Sequence, residues 1–379
     1  MFYHILPILI MVITMKNFNK FLIILLIILA ITSIYSIYSA SIILGSNYSD
    51  LWIKQIIWYI IGFIVILIIY KVKNEFIFKH IWKFYIFGNV SLLSLLFCGK
   101  VINGARCWFE IPYVGTFQPS EFMKIILILT LSKFCDDFFR TNKKISVKDE
   151  FIFLVKVFII VLLPSILTFL EPDTGSVIIY LIITLSILFI SGVRYRWFIL
   201  VFVILTLIVS SILYLYFFKK DYFISILGND FFLRVERIID WSNKDGFQLE
   251  KGITAIGSAG IFGHGLFNTP IYFPEAETDF IFAVYSSNLG FIGSIFLFTL
   301  IFLFDFLLIN IALKSNKLNK LMIAGIEGML IYQQFQNIGM TYGLIPITGI
   351  TLPFISYGGS SLLSYMIIVG LILNIKTRK

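Results

Sequence analysis

Asp279 ends an acidic run, Pro274-Glu275-Ala276-Glu277-Thr278-Asp279, that leads straight into the apolar stretch Phe280-Ile281-Phe282-Ala283-Val284. A carboxylate at such a partly dry boundary is held above its usual pKa, which suits a general base. Its position before a helix suits an N-cap equally well. A second constellation is Phe117-Gln118-Pro119-Ser120-Glu121-Phe122-Met123-Lys124. Pro119 sits where a helix can start, Glu121 falls in the first turn where the dipole favours an anion, and Lys124 follows at i+3. A lone charge at mid-bilayer costs ~2.5–3.5 kcal/mol. The two must therefore either neutralise each other as a structural pair or line a polar cavity that positions an anionic substrate.

Two shorter motifs carry further candidates. In Asn103-Gly104-Ala105-Arg106-Cys107-Trp108, Arg106 offers the planar fork that suits phosphate, or anchors an interfacial Trp/Arg belt with Trp108. In Glu171-Pro172-Asp173-Thr174-Gly175, Pro172-Asp173 is turn chemistry, and Asp173 either caps the next helix or faces a cavity. The glycines from Gly257 to Gly265 imitate a phosphate loop, but no strand precedes them and no βαβ unit surrounds them. Close backbone packing or a re-entrant loop is expected there, with His264 structural. Cys98, Cys107 and Cys135 show no metal or disulfide spacing and are expected as buried apolar thiols.

The elements that must position these residues are membrane spans. The 379 residues are 59% hydrophobic and 13% charged, about half the charge of a soluble domain. Hydropathy places ten spans near 21–44, 51–70, 81–98, 120–135, 152–170, 174–191, 197–218, 280–309, 321–341 and 351–373, each near the ~20 residues that cross a bilayer. Lysine and arginine then fall in alternate connections, such as Lys71, Lys73 and Lys79, or Arg140, Lys143, Lys144 and Lys148. That asymmetry puts both termini in the cytoplasm. It assigns the net charge of +9 to anionic lipid and away from nucleic acid. The first 14 residues are apolar without a small-residue cleavage site, so a signal peptide is not expected, and Met15 is an alternative start.

No repeat or linker divides the chain, so one all-α polytopic domain is expected over 1–379. A large extracytoplasmic loop, about 219–279, joins spans seven and eight, with Phe231 to Trp241 as a candidate interfacial helix. Segments 103–124, 171–175, 252–279 and 342–361 all fall opposite the basic connections. Irregular backbone at membrane depth must be buried in protein or line a wet cavity. The four are therefore expected to wall one outward-opening cavity.

The series NGARCWFEIPYVGTFQPSEFMK, EPDTGS, AIGSAGIFGHG, FPEAETDFIFAV and NIGMTYGLIPITGITLPFISYGGSS resembles the SEDS family (RodA, FtsW, SpoVE), in order from about residue 30 to 375. The form of the last motif is more like the elongation branch, RodA, than the division branch, FtsW. The resemblance implies a peptidoglycan glycosyltransferase that polymerises lipid II, a disaccharide-pentapeptide on undecaprenyl pyrophosphate, beside a class B penicillin-binding protein. By motif, Asp279 matches the essential aspartate, and Arg106, Trp108, Glu121, Lys124 and Asp173 match residues around the family's cavity. Glu275 joins the substrate-binding set. The resemblance also implies a divalent cation, Mg or Mn, although no ligand cluster in the sequence points to one. The chain departs from the family pattern in several places. Cys107 follows Arg106 where a second basic residue is common, Trp108 to Gln118 is one residue longer, Glu277 stands where a His often does, and Ser287-Asn288 replaces an acidic pair. Two other functions use the same features: a lipid II flippase, and a non-catalytic scaffold for the penicillin-binding partner.

Overall fold

The computed structural model describes residues 17–102, 105–111, 115–142, 144–229, 232 and 247–375. It is a bundle of long helices, because a backbone in lipid must satisfy its own hydrogen bonds. In chain order these are α1 (Asn17–Leu44), α2 (Leu51–Val72), a short α3 (Asn74–Lys79) and α4 (Ile81–Cys98). Then come α5 (Pro119–Thr141), α6 (Val147–Leu170), α7 (Thr174–Ser191) and α8 (Tyr195–Phe218). After the short α9 (Lys220–Leu227) and α10 (Phe247–Ser258), the chain ends in α11 (Ile281–Leu313), α12 (Lys317–Thr341) and α13 (Gly359–Leu373). Each of the ten expected spans overlaps one of the ten long helices.

Among the described residues, seven helices are long and apolar enough to cross a membrane. The other three, α5, α12 and α13, differ for physical reasons. Helix α5 carries Glu121, Lys124, Lys133 and two aspartates, α12 carries Glu327 and several amides, and α13 has only 15 residues. The first two are also among the most buried, and Glu121, Lys124, Glu327 and Gln333 face protein. Helix α1 shows how the apolar helices face inward. Leu22, Leu26, Leu29, Ser33, Ser36, Ile37 and Ala40 are buried at helical spacing, while Ile24, Ile27, Ile31 and Ile42 point outward. Small and hydroxyl residues on the inner face let helices approach closely.

The connection at 99–118 holds a small sheet that its Gly- and Pro-rich sequence does not announce. Strands β1 (Lys100–Ile102), β2 (Ala105–Ile111) and β3 (Gly115–Phe117) pair antiparallel in the order β1-β2-β3. Phe109 faces Phe117, and Glu110 faces Thr116. The stretch from Phe231 to Trp241 lies, apart from Phe232, outside the described residues, as do the first 16 residues.

Segment 259–265 closes a break in α11. Gly290 takes φ 64°, which interrupts the helix and frees backbone groups on either side. The loop takes them up: His264 N–H donates to Ser287 O (2.9 Å), Gly265 N–H to Asn288 O (3.2 Å), and Phe291 N–H to Gly260 O (3.0 Å). His264 Nδ1 lies 3.0 Å from the same Ser287 carbonyl, which gives the histidine its structural place. A Cβ on Gly290 would lie 2.3 Å from Gly263 N, so only glycine lets the two backbones meet. Of the two readings of these glycines, close backbone packing or a re-entrant loop, close packing holds at Gly263, where a Cβ would lie 2.2 Å from Asn288 O, whereas Gly257, Gly260 and Gly265 have nothing within 4 Å of theirs.

Candidate active site

The cavity at one end of the bundle has a volume of about 540 Å³, and residues from separate stretches of chain wall it. They come from β2 and the start of α5 (Trp108, Gln118, Glu121, Lys124), the α6–α7 connection (Asp173), the turn before α11 (Glu275, Asp279) and the 342–361 segment. The expected convergence is what the structure has, with one change. Of segment 252–279 only Glu275, Thr278 and Asp279 line the cavity, and residues 259–265 pack against the α11 break instead.

Asp279 caps no helix. Helix α11 starts after Phe280, with no side-chain cap bond. Among the described residues, nothing hydrogen-bonds or ion-pairs with the Asp279 carboxyl. What is held is its backbone: Asn337 Nδ2 donates to the Asp279 carbonyl (2.9 Å) and to the Ile350 carbonyl (2.9 Å). Burial raises the carboxyl to about 7, with Glu275 and then Glu277 adding repulsion. Glu275, exposed at the rim, accepts from the Thr278 hydroxyl (2.9 Å).

Asp173 fulfils both readings made of it. Its Oδ1 accepts from Ser176 N–H (2.9 Å) at the start of α7, while Oδ2 takes Ser176 Oγ (2.7 Å), Ser120 Oγ (3.0 Å) and Gln118 Nε2 (3.1 Å). It thereby ties α5 to α7 at the cavity wall. Glu121 and Lys124 likewise do both: Lys124 Nζ lies 2.7 Å from Glu121 Oε1, their side chains 1% and 10% exposed, on the cavity floor. Such burial of a lysine requires this partner. Trp108 is half-buried in the wall.

Arg106 is the expected residue that the structure places elsewhere. Its side chain is not part of the cavity lining, and the exposed guanidinium donates through Nη1 to Leu96 O (2.8 Å) at the end of α4. Cys107 points the other way and is buried, its thiol donating to Glu171 O (2.9 Å). Burial, then Asp173 and Glu171, push that thiol up. All three cysteines are free, and Cys107 and Cys135 are buried as expected, whereas Cys98, at the end of α4, is exposed.

Several supporting residues are missed by the sequence reasoning. The irregular 342–358 backbone sits among helices and needs donors. Tyr59 donates to Phe354 O, Ser33 to Ile355 O (2.8 Å), Gln55 to Ser356 O (3.3 Å) and Gln336 to Pro346 O (2.8 Å). The available signal was an amide or hydroxyl inside an otherwise apolar span. Gln333 on the floor belongs to the same class. Among the described residues, no group of three or more His, Cys, Asp or Glu is placed to hold a metal. The donor set present does not fit a protein cage for the divalent cation that the family resemblance implies.

The cell cycle protein family model of FtsW, RodA and SpoVE matches residues 19–379. The chain is 34% identical over 336 residues to a probable peptidoglycan glycosyltransferase FtsW of Buchnera aphidicola, covering 85% of this chain and 83% of that one. It is 32% identical to the peptidoglycan glycosyltransferase MrdB of Helicobacter pylori (88% and 85% covered) and 34% to the stage V sporulation protein E of Bacillus subtilis (73% and 73%). These identities fall in a narrow band and do not separate the elongation branch from the others. Among solved structures, a chain of a peptidoglycan synthase complex that coordinates polymerization and crosslinking superposes with TM-score 0.75 at 26% identity, covering 93% and 95%. The rod shape determining protein RodA of Thermus thermophilus superposes at 0.67 and 24% identity (93% and 94%), which shows the shared fold. The chain belongs to the FtsW/RodA/SpoVE family of multi-pass bacterial inner-membrane proteins.

Proposed function

We propose that this chain is a peptidoglycan glycosyltransferase that polymerises lipid II at the outer face of the cytoplasmic membrane, for wall elongation or division. The observation that carries the reading is the Asp279 carboxyl, uncapped and unpaired, in the wall of a cavity built by dispersed segments opposite the basic connections. The relatives named as peptidoglycan glycosyltransferases support the reaction class. A class B penicillin-binding protein is the proposed partner, supported by the fold match to a synthase complex.

Asp279 takes the proton from the acceptor 4-hydroxyl as that oxygen attacks the anomeric carbon. The new C–O bond forms while the bond to the pyrophosphate breaks, and the leaving group departs with the electron pair. One such displacement inverts an α-linked donor to a β-linked product with no covalent enzyme intermediate. A base near pKa 7 is ionised often enough at neutral pH and still a strong acceptor. Asn337 fixes the base through the backbone of its loop, and Asp173 locks the α5–α7 wall, so the reacting groups meet in a set geometry. Of the cations expected at the pyrophosphate, Lys124 lies in the cavity but is committed to Glu121, and Arg106 lies outside the lining, donating to Leu96 O.

Purified protein with labelled lipid II tests the reading. Glycan polymer from wild type that vanishes in Asp279→Ala is the expected result. Lipid scrambling without polymer would establish the flippase, and neither activity with retained partner binding would establish the scaffold.

A further inference from the structure

The cavity's charges do not match the most charged part of the proposed substrate. Its described lining carries four carboxyls, Glu121, Asp173, Glu275 and Asp279, against the single cation Lys124, which Glu121 already neutralises. A pyrophosphate pushed into that floor would meet net negative charge and lose its hydration.

The floor also presents acceptors in need of donors. Glu121 Oε2 and Gln333 Oε1 are buried and have no hydrogen-bond partner within the protein, and Thr348 Oγ1, from the 342–358 segment of the same lining, is in the same state. Glu121 is 8% exposed and Gln333 1%. Gln333 is held in place because its Nε2 donates to Tyr365 Oη (3.0 Å), which leaves its carbonyl for the cavity. Buried acceptors call for ligand O–H and N–H groups. Phosphate oxygens offer none, whereas sugar hydroxyls and an acetamido N–H offer several.

We infer that the floor formed by Glu121, Gln333 and Thr348 is a sugar subsite that grips the neutral hydroxyl and amide groups of the lipid-linked disaccharide, with the pyrophosphate left at the mouth. The inference rests on the proposed glycosyl-transfer function and deepens it. It gives the Glu121–Lys124 pair a task different from holding phosphate: Lys124 orients the carboxylate, and Glu121 Oε2 accepts from the sugar.

The test compares two probes on the intact protein in nanodiscs: a polyprenyl pyrophosphate alone, and the same lipid carrying its disaccharide. Wild type should bind the sugar-bearing lipid at least tenfold more tightly. Gln333→Leu should remove most of that gain and leave binding of the bare pyrophosphate lipid within twofold. Thr348→Val deletes one hydroxyl from a loop with little change of shape, and should remove a smaller share in the same selective way. Equal weakening of both probes would place the pyrophosphate on the floor and overturn the inference. So would two variants that bind both probes like wild type. Wild type that binds the two probes alike overturns the inference alone, whereas wild type that binds neither overturns the functional reading with it.

Discussion

Two cavities in this protein differ in kind, and the larger is the one without the chemistry. The cavity around Asp279 measures about 540 Å³, whereas a crevice between α7, α8, α11 and α12 measures about 930 Å³. The crevice is walled by side chains such as Leu185, Phe189, Phe202, Ile309 and Ile323, and α8 on its edge has no buried residue at all. It does hold one buried acid, Glu327, 7% exposed, both of whose carboxylate oxygens have no partner within the protein. The smaller cavity gathers several acids, a lysine and the amides Gln118 and Gln333 from segments far apart in sequence. Convergent polar groups, more than volume or one unpaired carboxyl, mark a reacting site.

Asp279 and Glu327 set that comparison most sharply. Asp279→Ala should lower polymerisation roughly 10²–10⁴-fold, the usual worth of a general base, while Glu327→Gln leaves it within twofold. An equal loss in both, in a labelled lipid II assay, would break the distinction. Gly290→Ala comes next, in stability. The added methyl meets Gly263 N and is forced to a positive φ, so unfolding in detergent should show a loss of about 1–3 kcal/mol from strain alone. Asp173→Ala should cost about 1–2 kcal/mol by removing a cap. Asp173→Asn should recover most of that, since an amide oxygen still accepts from Ser176 N–H.

The smallest effect concerns Glu171, buried behind the cavity wall. Burial, then Asp173, raises it to about 8 from an ordinary value near 4.5. The folded state therefore holds a proton that the unfolded state has lost across this window, and stability falls as pH rises from about 4.5 to 8. Glu171→Gln should flatten that fall. Its melting temperature should exceed wild type by more at pH 8 than at pH 5, and equal differences at both would contradict the assignment.

The span positions and the convergence of four segments were legible because long apolar runs and alternating basic connections are coarse, additive signals. Lys124 and Glu121 were legible as a pair because i+3 spacing on a helix fixes their proximity. The direction of Arg106 was not, since it depends on a strand whose pairing partners, β1 and β3, have three residues each. Nor was the scaffold of Ser33, Gln55, Tyr59 and Asn337 beneath the 342–358 loop. Those contacts join residues as much as 322 positions apart, and a lone hydroxyl in a span does not say which carbonyl it will meet. Asp173 was split between two readings because a cap and a cavity wall coincide there.

The central claim is that Asp279, raised to about 7, is the base for glycosyl transfer. The most direct measurement is polymerisation rate from pH 5 to 9, with lipid II binding followed in parallel. The rate should climb roughly tenfold per pH unit below about 7 and level off above it, with binding unchanged, because only the ionised carboxyl accepts the proton. A flat profile, or the same rise persisting in the residual activity of Asp279→Ala, would contradict it.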